Sequence, residues 1–145
     1  MEYQIQRLID RHGPMGPHSI CYVDLDNFKP INDSFGHHAG DVALRWFGQQ
    51  LQAVTRSSDI VGRIGGDEFA MLLPGCPGSL ARRITGGLHS ALQETPFEFE
   101  GSTFSLRASV GVIEFLGGQS TPADLLKKAD AVCYQAKQAG GGRTA

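Results

Sequence analysis

Two short acidic segments carry the residue types best suited to chemistry. Asp24-Leu25-Asp26 closes an apolar run from Ser19 to Val23, and Gly65-Gly66-Asp67-Glu68 follows about forty residues later. Carboxylates brought together repel, and unless one is protonated they need a cation. Oxygen donors with no His or Cys beside them suit a hard ion such as Mg²⁺. Mg²⁺ on one or two carboxylates keeps waters and takes substrate phosphates as further ligands. Gly65-Gly66 lets a phosphate or a base approach the backbone without side-chain collision, and Lys29 adds positive charge nearby. Any one of these acids alone is an ordinary strand-end residue in solvent. Both segments at one sheet edge point instead to a metal–phosphate site.

The elements must therefore bring these segments together. Residues 2–12 place Ile5, Leu8 and Ile9 on one helical face, and residues 13–17, rich in Gly and Pro, break that helix. Residues 19–23 form a buried strand with the carboxylates at its C-terminal end. A helix is expected from Gly40-Asp41, with Leu44, Phe47, Leu51 and Val54 at steps of three and four. Residues 59–64 and 67–73 flank Gly65-Gly66 as a hairpin, because Gly accepts the positive φ of tight turns. Leu80, Ile84, Leu88 and Leu92 mark a helix over 79–93, interrupted by the poor helix formers Gly86-Gly87. Residues 97–99 suggest a minor strand, and Leu106, Ala108, Val110 and Val112 alternate as another. Thr121-Pro122-Ala123-Asp124 opens a last helix through Ala136, closed by Gly140-Gly141-Gly142.

This order, β-α-β-β-α-β with a helix added at each end, gives an α+β fold. Its standard closure is the ferredoxin-like, palm-type sheet with strand 1 beside strand 3. That closure sets Asp24 and Asp26 near Asp67 and Glu68. The 145 residues make one domain. Thirteen Lys and Arg against fifteen Asp and Glu argue against a nucleic-acid polymer or an anionic membrane read by bulk charge. No apolar run is long enough for a membrane span. Three dispersed cysteines without a CxxC exclude a disulfide framework and fit a reducing, cytoplasmic setting.

Asp24-Leu25-Asp26-Asn27-Phe28-Lys29, Ile31-Asn32-Asp33, Gly36-His37, Gly40-Asp41 and Arg63-Ile64-Gly65-Gly66-Asp67-Glu68-Phe69 together resemble the GGDEF domain of diguanylate cyclases. Ser109-Val110-Gly111, Ala129-Asp130 and Tyr134-Gln135-Ala136-Lys137 extend the resemblance to nearly the whole chain. It implies condensation of two GTP into cyclic di-GMP with release of two pyrophosphates, each protomer of a transient homodimer holding one GTP. It further implies that Asp24, the Leu25 carbonyl and Asp67 hold Mg²⁺ (or Mn²⁺), assisted by Glu68, and that Asp67 is the base for the attacking 3′-hydroxyl. Asn32 and Asp41 would read guanine with His37 nearby, and Lys29 and Lys137 would meet the phosphates. These roles suit the groups: a carboxylate accepts from the guanine N1–H and amino group, and an amide pairs with a donor and an acceptor. Each position also has an ordinary use, Asn32 in a turn, Asp41 as a helix cap, Lys137 at a helix C-terminus.

Arg56-Ser57-Ser58-Asp59 stands shortly before the hairpin, where the family carries an RxxD site for inhibitory product. Two departures from the family are visible. The chain lacks the opening turn that family members carry upstream, which implies a piece of a longer protein with a sensor or EAL domain beside it, attached to a membrane through other segments in some arrangements. Gly141 stands where a phosphate-binding Arg is expected, and Arg143 lies two residues on. The leading reading is a Mg²⁺-dependent cyclase. The alternative is a GTP-binding GGDEF module, weakly active or inactive, that regulates an adjacent EAL-type phosphodiesterase. A different palm-type cyclase or polymerase shares the two-carboxylate logic but leaves GGDEF unexplained.

Overall fold

The computed structural model describes residues 1–10, 16–118 and 120–145. The elements run α1 (Glu2–Ile9), β1 (His18–Asp26), α2 (Lys29–Val54), β2 (Ile60–Gly65), β3 (Glu68–Leu73), α3 (Gly78–Glu94), β4 (Phe97–Phe99), β5 (Ser102–Phe104), β6 (Arg107–Phe115) and α4 (Pro122–Gln138). The main sheet has the order β2-β3-β1-β6 with every neighbouring pair antiparallel. This is the expected ferredoxin-like closure, with β1 between β3 and β6.

Strand alternation divides the core into two layers. Cys21, Val23 and Leu25 face α2 and α3 together with Phe69, Met71, Phe47, Leu51 and Leu88. Ile20 and Tyr22 face α1 and α4 among Ile5, Leu8, Leu72 and Leu125. Cys21, Cys76 and Cys133 are buried free thiols. Among the described residues no helix is long and apolar enough to cross a membrane.

Several boundaries differ from expectation. The first helix ends at Ile9 rather than continuing to residue 12, and most of the expected break over 13–17 lies outside the described residues. β1 continues through Asp26, so both acids belong to the strand. α2 starts at Lys29, not at Gly40. Pro30 occupies its first turn, where a missing N–H costs nothing. The helix is broken at Gly36 (φ 85°, ψ 178°), which joins two arms at an angle. The turn-forming residues before Gly36 had hidden the first arm. The hairpin is present with an irregularity between Arg63 and Gly65, yet neither Gly65 nor Gly66 takes a positive φ. α3 tolerates Gly86 and Gly87 on its exposed face. The strand at 97–99 pairs with an unforeseen partner, β5, across Glu100 and Gly101, both in the left-handed region. Thr121 caps α4 as expected, its hydroxyl accepting from the Asp124 N–H at 3.2 Å.

Candidate active site

Tyr22, Asp24 and Asp26 alternate onto the α4 face of β1. In the β1–β3 register Asp24 lies opposite Glu68, and the Leu25 N–H donates to the Asp67 carbonyl at 3.2 Å. The two acidic segments therefore meet. Lys137, in the last turn of α4, donates to Asp24 Oδ2 at 2.7 Å. Asp24 Oδ1 is buried and has no hydrogen-bond partner. Burial pushes the Asp24 carboxyl up, the Lys137 bond opposes this, and Asp67 adds to the rise. Burial pulls the Lys137 ammonium down, but its bond to Asp24 and the Asp24, Asp26 and Asp67 charges outweigh that and leave it raised. The Tyr22 hydroxyl donates to Glu68 and fixes that side chain against β1.

Asp26 does not join the cluster as expected. Its Oδ1 accepts from the Ser109 hydroxyl and its Oδ2 from the Gly142 N–H, both at 2.8 Å. One oxygen is thus tied to β6 and the other anchors the glycine turn after α4. That turn also explains Gly141. Its φ is +70°, and a Cβ there would fall 2.6 Å from Asp26 Oδ2, so a longer side chain is strained here and displaces the Asp26 carboxylate. Arg143 turns back instead, its Nε donating to the Gly141 carbonyl at 3.2 Å.

On the α2 side, a cleft of about 320 Å³ is lined by Phe28, Asn32, His37, Asp41, Leu44, Arg63, Gly66 and Asp67. Three expected base-recognition residues thus share one cavity with the hairpin turn. The break at Gly36 makes this possible, since Asn32 lies on the first arm of α2 and Asp41 on the second. Phe28 and Leu44 supply apolar walls. Lys29 stands exposed at the start of α2, outside this lining.

Arg63, Tyr22 and the anchoring role of Asp26 escaped the sequence reading. Arg63 lines the cleft and its Nε donates to the Gly66 carbonyl at 2.9 Å, bracing the turn. A lone cation two residues before an acidic turn was the available signal. Tyr22 sits two residues before Asp24 and so shares its face.

Arg56 and Asp59 pair with each other. Arg56 Nη2 lies 2.6 Å from Asp59 Oδ1 and also donates to the Pro74 carbonyl at 2.9 Å. The Arg56 backbone N–H donates to Asp59 Oδ2 at 2.7 Å. The bond to Asp59 raises the Arg56 guanidinium against the opposing effect of burial.

The chain matches the family described as "Diguanylate cyclase, GGDEF domain" over residues 1–143, and it belongs to that family. It is 40% identical over 126 residues to the probable diguanylate cyclase DgcE of Escherichia coli, covering 87% of this chain and 11% of that protein. It is 36% identical over 138 residues to the diguanylate cyclase DgcP of Pseudomonas aeruginosa, covering 95% of this chain and 20% of that protein. The crystal structure of the GGDEF domain of YfiN (TpbB) from Pseudomonas aeruginosa superimposes with a TM-score of 0.88 at 35% identity, covering 99% of this chain and 90% of that one. The chain spans a small part of the curated relatives it matches.

GGDEF diguanylate cyclases depend on a metal. The donor set here fits a hard cation, because Asp24 offers a buried, unpartnered carboxylate oxygen beside Asp67 and Glu68. Among the described residues no three His, Cys, Asp or Glu side chains are grouped so as to hold a metal ion by themselves. An ion that keeps waters and phosphate oxygens as ligands does not need such a group.

Proposed function

We propose that this domain condenses two GTP into cyclic di-GMP and two pyrophosphates, with Mg²⁺ as the cation and two copies of the domain each presenting one GTP. The observation that carries this reading is the single cleft in which Asn32, His37 and Asp41 face the Gly66-Asp67 turn. Similarity to proteins named diguanylate cyclase supports it.

In this reading the base lies between Phe28 and Leu44. Asp41 accepts from the guanine N1–H and amino group, and the Asn32 amide completes the edge. Lys29 and Lys137 meet the phosphates, Lys137 exchanging its bond to Asp24 for one to the triphosphate. Asp24, the Leu25 carbonyl and Asp67 hold the ion, with Glu68 steadied by Tyr22. When bound, the ion neutralises charge on the phosphoryl oxygens, the main requirement of phosphoryl transfer. Asp67 takes the proton of the attacking 3′-hydroxyl as its oxygen bonds to the α-phosphorus of the other GTP. The α–β phosphoanhydride bond then breaks and pyrophosphate leaves. A second, identical step closes the ring. Arg56 and Asp59 form the product site, and the protein works in the cytoplasm.

One observation favours a second reading, a GTP-binding module that regulates a neighbouring EAL-type phosphodiesterase. Gly141 stands where the family carries an Arg, packed against the Asp26 carboxylate, so the site has one cation fewer. Incubating the protein with GTP and Mg²⁺ and separating the products by chromatography decides between the two. Cyclic di-GMP supports the enzyme. Unchanged GTP with measurable binding supports the module.

A further inference from the structure

Gly40 lies in the second arm of α2, is buried, and has no positive φ. Its backbone conformation therefore does not call for glycine, and alanine is the better residue in a helix interior. The demand comes from outside the helix. A Cβ at this position would fall 1.9 Å from Asn32 Oδ1, 2.9 Å from Asn32 Cγ and 3.1 Å from Phe28 Cζ. The Asn32 carboxamide occupies the space that a side chain at residue 40 would fill. In an unbroken helix, residues eight apart are separated by about 12 Å along the axis. This contact exists only because the chain turns at Gly36.

We propose that Gly40 is a positioning residue for base specificity: its missing side chain is the seat that holds the Asn32 carboxamide at the edge of the cleft, beside Asp41. The inference deepens the guanine-reading role proposed for Asn32 and rests on it. The atoms a methyl group would strike are the ends of the Asn32 and Phe28 side chains, not backbone. An added methyl therefore displaces the reader while the helix, freed of a glycine, keeps or gains stability. A residue that mattered only for packing would show the opposite pattern.

The test compares wild type, Gly40→Ala, Asn32→Ala and the double variant by calorimetry. The probes are the α,β-methylene analogues of GTP and ATP, which cannot be cleaved at the bond that breaks in the reaction. Gly40→Ala is expected to unfold at or above the wild-type temperature. Its affinity for the GTP analogue falls about tenfold, as for a recognition hydrogen bond left unmade, with no matching fall for the ATP analogue. Adding Gly40→Ala to Asn32→Ala costs no further selectivity, because the seat is then empty. Wild-type selectivity in Gly40→Ala, additive losses in the double variant, or unfolding by Gly40→Ala that persists in the double variant each overturn the proposal. If Asn32→Ala alone keeps the preference for guanine, the base-reading role itself falls. That result appears in the single Asn32 variant and so is distinct from a failure confined to Gly40.

Discussion

Asp24 is kept in a place that opposes its own charge. Burial raises the carboxyl, Lys137 only partly offsets this, and one oxygen has no donor. An acid whose folded pKa lies above its unfolded value subtracts stability once the pH exceeds the folded pKa. A cation that satisfies the empty oxygen therefore stabilises the fold. Saturating Mg²⁺, about a hundredfold above its dissociation constant, is expected to add about 2.7 kcal/mol. Asp24→Asn should remove the Mg²⁺-dependent rise in melting temperature, and an equal rise in both proteins would place the ion elsewhere. Asp67 differs, since it stands in the turn and only its carbonyl serves the sheet. Asp67→Ala should keep the far-ultraviolet circular dichroism of the wild type while synthesis falls by at least 10²–10⁴-fold, the worth of a general base. Full synthesis by that variant would dismiss Asp67 from the reaction.

At the scale of elements, the hairpin's glycines are not demanded by its own backbone. Gly65 and Gly66 have no left-handed φ, and a Cβ at either position meets nothing within 4 Å. The fold accepts alanine there, and under the proposed function the space beside Gly66, which lines the cleft, is taken by the nucleotide. Gly66→Ala should leave stability unchanged or raise it by about 0.4–1 kcal/mol, while affinity for the GTP analogue drops. Unaltered affinity would detach the turn from the nucleotide. The same hairpin was legible from sequence because two apolar runs around Gly-Gly have few other solutions. The β-α-β-β-α-β order then required β1 beside β3, which brought Asp24 to Glu68. The first arm of α2 was not legible. Asn32, Asp33 and Ser34 are turn formers by local preference, made helical by tertiary packing, while Gly36 stays non-helical and marks the break. Phe35 packs edge-on against Phe99 and Phe104 of the β4–β5 hairpin, a long-range contact that no local pattern encodes. The fate of Asp26 was hidden for a similar reason, since its partners Ser109 and Gly142 are distant in sequence.

Across the whole molecule, polar side chains tie the loop after β3 to its surroundings, His18 and Arg56 among them. His18 is 1% exposed, packs on Phe115, and its Nδ1 accepts from the Gly75 N–H at 2.9 Å. Burial holds it below its ordinary 6.5. A depressed pKa gives stability that is complete above 6.5 and is lost as the pH falls towards the folded value. Urea unfolding at about pH 8 and about pH 5.5 should show a smaller acid loss in His18→Phe than in wild type. The variant has a lower starting stability, by about 1–3 kcal/mol, for the orphaned Gly75 N–H. Identical acid losses would exonerate His18.

The second tie is Arg56, which joins the start of β2 to the loop after β3 through Asp59 and Pro74. If cyclic di-GMP is captured here, it must share or replace bonds that the guanidinium already makes. Guanine offers Arg a bidentate edge and a stacking face, which an internal carboxylate cannot match at once. Arg56 and Asp59 stand at the opposite end of β2 from the Gly66-Asp67 turn, so product bound there would not compete directly with GTP at the turn. Inhibition from this site would have to act by favouring an arrangement in which two domains are held apart and one GTP cannot reach the other. A ligand achieves that only through higher affinity for the separated arrangement. Arg56→Ala should therefore lose product affinity and product inhibition together while the initial rate at low product is retained. Because Asp59 is fully buried and Arg56 about one-third exposed, the same variant should lose about 1–2 kcal/mol of stability after allowance for solvent screening. Calorimetric titration of cyclic di-GMP, rates with and without added product, and melting temperature separate the two effects. Equal product affinity in wild type and Arg56→Ala, with only the melting temperature lowered, would leave the pair as a structural clamp and remove it from regulation.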